Sequence, residues 1–393
     1  MFALVIVAAR QLGEAGFGIY NYGLALGFVL AQLADLGLQI VIAREVAVQG
    51  PAARALARTA FQLKVVFSLV VVSLLAVIAL TQPPALRPAL LLLGVMQVGQ
   101  TFLEFAAYIY RGQQRLWAEA WLLGGARVTT AVIGIIILWR GGTVGQLAAG
   151  SLLAVVVAAA VGTTSLRREG WLRDLATGPE GGLVAYRRLV QEAAPLGIAI
   201  FLSIAYTRSA ILLLQIRLGE TAVAHYSAAA RLVEPTQILP ASLMAAVFPA
   251  ISLAIAHNPG KARWLGVRVS LLLGGCGLLL ASAFWLTAGW LAPWLYGDAY
   301  TPTIPVLQLL GLTVMPAFIN YSLTHYLIAR QQQVYLGWFT AVMLGLHLGL
   351  SWVFIGRFGV IGPAISMLIS EGFLLIACLL VLVRKLPVNV ISK

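Results

Sequence analysis

Runs of about twenty apolar residues recur along this chain from end to end, and no other feature constrains its fold so tightly. "VVFSLVVVSLLAVIAL" (65–80) is one of them. Each run is long enough to cross a hydrocarbon core of about 30 Å as a helix. The strands of a membrane barrel would show ~10-residue segments of strict alternation, and no such segment is found. Composition agrees, with 61% of the residues hydrophobic and 10% charged, where a soluble domain carries about 25% charged. The chain therefore reads as an all-α integral membrane protein.

Hydropathy places the spans at 1–9 (a remnant), 16–42, 62–80, 89–110, 118–139, 144–166, 190–216, 222–255, 264–292, 303–329, 334–355 and 359–383. The net charge of +13 is a topology signal and does not imply nucleic acid. Eighteen of the 26 Lys and Arg fall on one side, among them Arg44, Lys64, Arg111, Arg115, Arg384, Lys385 and Lys393. Five fall on the other: Arg10, Arg87, Arg140, Arg217 and Arg357. Arg127, Arg208 and Arg231 stand inside spans. The positive-inside rule assigns the richer side to the cytoplasm, where basic loops also attract anionic lipid.

Little in the chain points to catalysis. Cys276 and Cys378 lie within apolar spans and read as free core thiols. The four histidines show no metal-ligand spacing, and no glycine-rich phosphate loop follows a strand, so neither a metal nor a cofactor is expected. The external loops are too short to carry the active site of a membrane glycosyltransferase or polymerase. The chain is therefore not expected to be an enzyme.

Part of the sequence occurs twice. Leu12, Gly13, Glu14 and Tyr20 of "RQLGEAGFGIY" (10–20) match Leu218, Gly219, Glu220 and Tyr226 of "IRLGETAVAHY" (216–226) at an offset of 206. "YRGQQRLW" (110–117) is echoed by "ARQQQVYLGW" (329–338), and "RGGTVG" (140–145) by "RFGVIG" (357–362) at an offset of 217. The drift requires about eleven further residues in the second half, held by the eighth span or by the loop "LYGDAYTPTIP" (295–305). Six spans separate the copies, an even number, so the halves run parallel, as in a transporter class that binds its substrate between repeats near the midplane. An N-terminal lobe over 1–166, a cytoplasmic linker over 167–189 and a C-terminal lobe over 190–393 follow. Nine residues of helix rise only about 13 Å, so the first helix reads as incomplete and the chain as N-terminally truncated, with a short re-entrant segment as the alternative.

"ARQLGEAGFGIYNYGLALGFVLAQLADLGLQIVIAREVA" (9–47) resembles the first helix–loop–helix of the polysaccharide transporter family, the Wzx-type lipid-linked oligosaccharide flippases of the MATE-like superfamily. "AHYSAAARLVEPTQILPASLMAAVFPAIS" (224–252) is similar to that family's eighth helix, and "LYGDAYTPTIPVLQLLG" (295–311) to its ninth-to-tenth loop. The resemblance implies two parallel six-helix bundles around a central cavity. It implies transport of a lipid-linked, polyprenyl-pyrophosphate oligosaccharide from the cytoplasmic to the outer leaflet of the inner or plasma membrane by alternating access, for polysaccharide biosynthesis. Membrane lipids and other polysaccharide assembly proteins are the implied partners. One departure is visible: relatives often carry an acid near "YTRSAILLL" (206–214), where Arg208 and Ala210 stand instead.

Charges inside a bilayer cost at least about 2.5–3.5 kcal/mol each, which makes them candidates for function. Arg208 and Arg127 suit an anionic pyrophosphate, because guanidinium binds phosphate oxygens bidentately; the alternative is that they snorkel or pair structurally. Arg231 shares a helical face with Glu234 and reads as a structural pair or a ligand contact. Glu104 is the leading candidate for proton coupling or sugar sensing and Glu371 the second, each with a hydrogen-bonded structural carboxyl as the alternative. Asp35 is expected to cap a helix or to pair with Arg44 or Lys64. Asn320, Tyr321 and His325 read as one polar strip, for sugar hydroxyls or for helix–helix bonding. Pro195, Pro235, Pro240, Pro249, Pro316 and Pro363 fall in second-half spans and predict that this half bends more readily. The competing function is a MATE-type cation-coupled exporter of drugs or metabolites.

Overall fold

A computed structural model of the protein describes residues 1–173, 175 and 182–383, apart from the side chains of Gln333, Val334 and Val383. Arg384, Lys385 and Lys393 of the cytoplasmic set, and part of the 167–189 linker, lie outside the described residues. Every regular element within them is helical: α1 (Phe2–Asp35), α2 (Leu38–Gln49), α3 (Arg54–Thr81), α4 (Arg87–Gly112), α5 (Leu116–Trp139), α6 (Val144–Arg168), α7 (Leu183–Leu218), α8 (Glu220–Val233), α9 (Ile238–His257), α10 (Pro259–Tyr296), α11 (Thr303–Ala329), α12 (Gln333–Phe358) and α13 (Gly362–Val383). Among the described residues, ten helical stretches are long and apolar enough to cross a membrane, with α2–α3, α8–α9 and α12–α13 each running as one stretch. Close contacts divide the chain into Met1–Arg208 and Ser209–Lys393, so the boundary falls inside α7.

In the first unit α4 is the central helix, packed on α1, α2, α3, α5 and α6. Small residues permit the close approach. A Cβ on Gly27 of α1 would stand 2.9 Å from the Gly94 Cα of α4, so the two backbones touch, the way membrane helices pack without a hydrophobic driving force. In the second unit α11 holds the equivalent place, packed on α8, α9, α10, α12 and α13. The best apolar windows of α4 and α11 are 56% and 50% buried, against 22–28% for the other spans. Polar side chains on these two helices are therefore the most withdrawn from lipid.

The repeat reappears in the backbone. Gly13 (φ 66°, ψ −177°) interrupts α1, and Gly219 (φ 83°, ψ −171°) separates α7 from α8, a conformation almost exclusive to glycine. The non-glycine residues Gln114 (φ 60°) and Gln331 (φ 59°) are both left-handed. Each ends its helix with the same bonds: Arg115 N to Tyr110 O and Gln332 N to Leu327 O, both 2.9 Å. This 6→1 closure satisfies carbonyls that a helix end leaves open.

The structure corrects four details. The segment 10–15 is not a loop, because Gly13 alone breaks the helix. The span 16–42 is bent at left-handed Leu36 and Gly37, and 222–255 at the 3₁₀ turn Glu234–Gln237. The additional residues of the second half lie in α10, 38 residues long against 28 in its counterpart α3, and neither in the eighth span nor in the 295–305 loop. Only Pro195, Pro249 and Pro316 of the six named prolines stand inside helices. Pro235 sits in the 3₁₀ turn, and Pro240 and Pro363 in the opening turns of α9 and α13, where proline removes no intrahelical bond.

A Cβ at Gly13 or Gly219 would meet nothing within 4 Å, so substitution there tests backbone strain alone. Gly13→Ala and Gly219→Ala are each expected to destabilise the protein by about 1–3 kcal/mol, read as lowered melting temperatures in detergent. Unchanged melting of both would refute the strain argument, and a loss in only one would refute the equivalence of the two breaks.

Candidate functional site

The left-handed turn at Leu36–Gly37 stops α1 at Asp35 and leaves its carboxylate among helices. Lys64 of α3 donates to Asp35 Oδ1 over 2.6 Å, with side-chain exposures of 0% and 4%. The ammonium also lies 5.7 Å and 5.9 Å from the ring centres of Phe102 and Phe105, where the negative ring faces attract a cation. Glu104, on α4 between these phenylalanines, accepts from Gln100 Nε2 over 3.4 Å. The charges of Lys64, Asp35 and Arg127 all act on its carboxylate. Four helices of the first unit thus contribute to one acid–base cluster, with Asp35 and Lys64 buried, Glu104 half-buried and Arg127 exposed.

Lys64 corrects the charge count. Read as a cytoplasmic surface cation, it lies ten residues inside α3, about 15 Å along it. The hydropathy span starting at 62 cut the helix short and hid it. The choice between Arg44 and Lys64 for Asp35 is settled for Lys64. Arg44 is exposed and pairs with Glu192 of α7 and with Glu45.

Arg208, at the end of the first unit, is half-buried with its guanidinium 5.7 Å from the Phe28 ring centre. Arg127 is exposed on α5, with Glu104 in electrostatic reach.

The second unit treats its polar groups differently. Asn320 Nδ2 of α11 donates to both the backbone carbonyl (2.9 Å) and Oε2 (2.8 Å) of Glu371 on α13, and both residues are buried. Asn320 Oδ1 is buried with no hydrogen-bond partner among the described residues. His325 bonds its Nδ1 to the Tyr321 carbonyl at 2.7 Å, stacks on the Tyr321 ring at 4.4 Å and meets Phe248 of α9 edge-on at 6.0 Å. The expected strip is therefore split: Asn320 faces α13 and His325 faces α9, since five residues turn a helix by about 140°. Arg231 and Glu234 stand 3.7 Å apart, both partly exposed. Two buried histidines join helices, His347 with Ser366 Oγ (3.0 Å) and His225 with Thr303 Oγ1 (3.4 Å). Cys276 and Cys378 are free thiols, and among the described residues no His, Cys, Asp and Glu gather as a metal-holding group.

The family described as polysaccharide biosynthesis protein matches residues 1–254. This chain belongs to that family. The match covers all of α1–α8 and most of α9, including the acid–base cluster and Arg208. Comparison with curated protein sequences gave no match. Among solved structures, the chain is similar to an inward-facing multidrug resistance MATE transporter of the MOP superfamily, at 16% identity, TM-score 0.79, and coverage of 98% of this chain and 93% of that one. It is similar to the lipid II flippase MurJ in an inward closed conformation at 12% identity and TM-score 0.78, covering 99% and 86%. A MOP superfamily transporter from Pyrococcus furiosus matches at 16% identity and TM-score 0.66, covering 98% and 91%. At such identities the likeness is one of fold. The family member is thus a multi-pass, all-α membrane protein with the fold of MATE transporters and of a lipid flippase.

Removing one partner of a buried ion pair strands the other charge. Lys64→Met is expected to cost about 3–5 kcal/mol, and adding Asp35→Asn to recover most of it, measured as thermal unfolding in detergent. Additive losses in the double variant would show that Asp35 and Lys64 do not act as a pair.

Proposed function

We propose that this protein moves a lipid-linked, polyprenyl-pyrophosphate oligosaccharide from the cytoplasmic to the outer leaflet of the cell membrane by alternating access. Membership of the polysaccharide biosynthesis protein family over residues 1–254 carries the reading. The charge pattern supports it: Arg127, Arg208 and Arg231 are the arginines within spans, and a guanidinium fork matches phosphate oxygens. The Pyrococcus furiosus neighbour is described as having a binding pocket of reverse polarity that suggests a different function within the superfamily, a precedent for cargo differing on one fold.

In this reading Arg208, Arg127 and Arg231 bind the pyrophosphate. The unpartnered Asn320 Oδ1 and His325 bind sugar hydroxyls. Glu104 couples transport to protons, because its carboxyl shares a buried cluster with Lys64 and Asp35. Glu371, held by Asn320, is the second coupling group. Other polysaccharide assembly proteins supply the substrate and receive it.

The competing reading, cation-coupled export of drugs or metabolites, draws on the MATE neighbours and on the same acidic cluster. Reconstitution in liposomes separates the two. Labelled polyprenyl-pyrophosphate oligosaccharide is expected to appear in the far leaflet, about ten- to hundredfold more slowly with Arg208→Ala, the scale of a lost charge-assisted contact. Absence of flipping together with efflux of a cationic dye would move the function to the exporter. Glu104→Gln is expected to flatten the response of the flipping rate to an imposed proton gradient, and an undiminished response would assign coupling elsewhere.

A further inference from the structure

A groove of about 420 Å³ lies between α5 and α6 in the first unit, with Tyr110 of α4 at one end. Its lining is apolar along almost its whole length. Gly125 and Ala126 of α5 and Ala154, Ala158 and Gly162 of α6 contribute no bulk, while the exposed Trp117 and Trp121 form a wall. From Trp117 to Thr129 the groove follows α5 for twelve residues, about 18 Å, close to one leaflet of a ~30 Å core. It shares no residue with the acid–base cluster or with the proposed cargo contacts.

Arg115 stands at the end on the basic side of the chain. Its guanidinium lies 5.0 Å and 5.7 Å from the ring centres of Tyr110 and Trp117. Its hydrogen bonds within the described residues all pass through Nη1, to Glu169 Oε1 (2.9 Å) and Gln113 Oε1 (3.3 Å). Nη2 and Nε keep their N–H donors unused among the described residues. Arg167 and Arg168 end α6 exposed on the same side, and Arg111 pairs with Glu119. These four arginines outnumber Glu119 and Glu169, so the mouth is cationic while the trough is apolar.

We propose that this groove is a binding site for an anionic phospholipid of the cytoplasmic leaflet, one acyl chain lying along α5 and α6 and the phosphate bonded by Arg115. A leaflet-deep trough excludes a soluble anion from all but its mouth. The free edge of the guanidinium matches two phosphate oxygens, and the indoles of Trp117 and Trp121 stand in the first two turns of α5, at the end of a span, where such rings anchor an interface.

The test is native mass spectrometry of the intact, delipidated protein titrated with phosphatidylglycerol, phosphatidylcholine or inorganic phosphate. One phosphatidylglycerol is expected to bind about tenfold more tightly than phosphatidylcholine. A Cβ on Gly125 meets nothing within 4 Å, so Gly125→Phe fills the trough without a clash at its base and is expected to abolish that site. Should it fail to fold, Ala158→Phe fills the trough from the facing helix. Arg115→Gln is expected to keep the acyl chain and to lose the preference for the anionic head group. Unchanged binding in the filled variant, no head-group preference in the parent, or displacement of lipid by inorganic phosphate would each overturn the proposal.

Discussion

A peptide group in hydrocarbon has no water to bond, so a membrane-spanning chain can leave the helix only where other groups take over its hydrogen bonds. The breaks in this protein follow that constraint closely. At Gly13 and Gly219 glycine adopts a conformation denied to other residues. At Gln114 and Gln331 a 6→1 bond closes the helix end. At Leu36 the amide bonds back to the Gln32 carbonyl over 2.8 Å, while Gly37 lets α7 come within contact at Gly197. The break at Leu36–Gly37 is also the point at which a polar side chain, that of Asp35, is delivered into the bundle.

That reasoning explains what a duplicated chain keeps and what it lets drift. Backbone devices at the breaks are preserved at offsets of 206 and 217, because losing one would strand polar groups in lipid. Helix length outside the bundle is under no such restraint, and α10 has grown by ten residues over α3. Buried chemistry has diverged as well. The first unit neutralises an acid with a lysine through an ion pair, whereas the second holds its acid by a neutral amide, Asn320 to Glu371.

The repeat and the fold class were legible because each rests on a signal longer than a single helix turn, whereas the twelve hydropathy spans stand as ten helical stretches among the described residues. Apolar runs of twenty residues survive local error, and "LGE" or "QQ" at the same helix boundary carries backbone geometry with it. The unread parts depend on contacts between segments distant in sequence. Lys64 sits at the edge of its hydropathy window, and only the partner at Asp35, 29 residues earlier, shows that it is inside. Asn320 and His325 look like one strip because both are polar, yet their facing differs by more than a third of a turn. Prolines read as kinks for a similar reason: whether Pro363 bends a helix or begins one depends on where the preceding helix ends, and Gly359 decides that. The groove beside α5 had no linear signature at all, since its small residues come from two helices and are common throughout the chain.

The charge distribution in the first unit leads to a last step of synthesis. Lys64, the cation nearest Glu104 in the buried cluster, is already held by Asp35, so a proton arriving at or leaving Glu104 changes the net charge of a region that cannot re-pair easily. If Glu104 is the coupling group proposed above, it acts through electrostatics and not through a single bond, because water or a counter-charge reaches it only when the surrounding helices move. Arg127 is the exposed member of that set, on α5, and its charge still acts on Glu104. Under the proposed function, a cation placed to face either an anionic cargo or Glu104 would link the protonation of the one to the loading of the other.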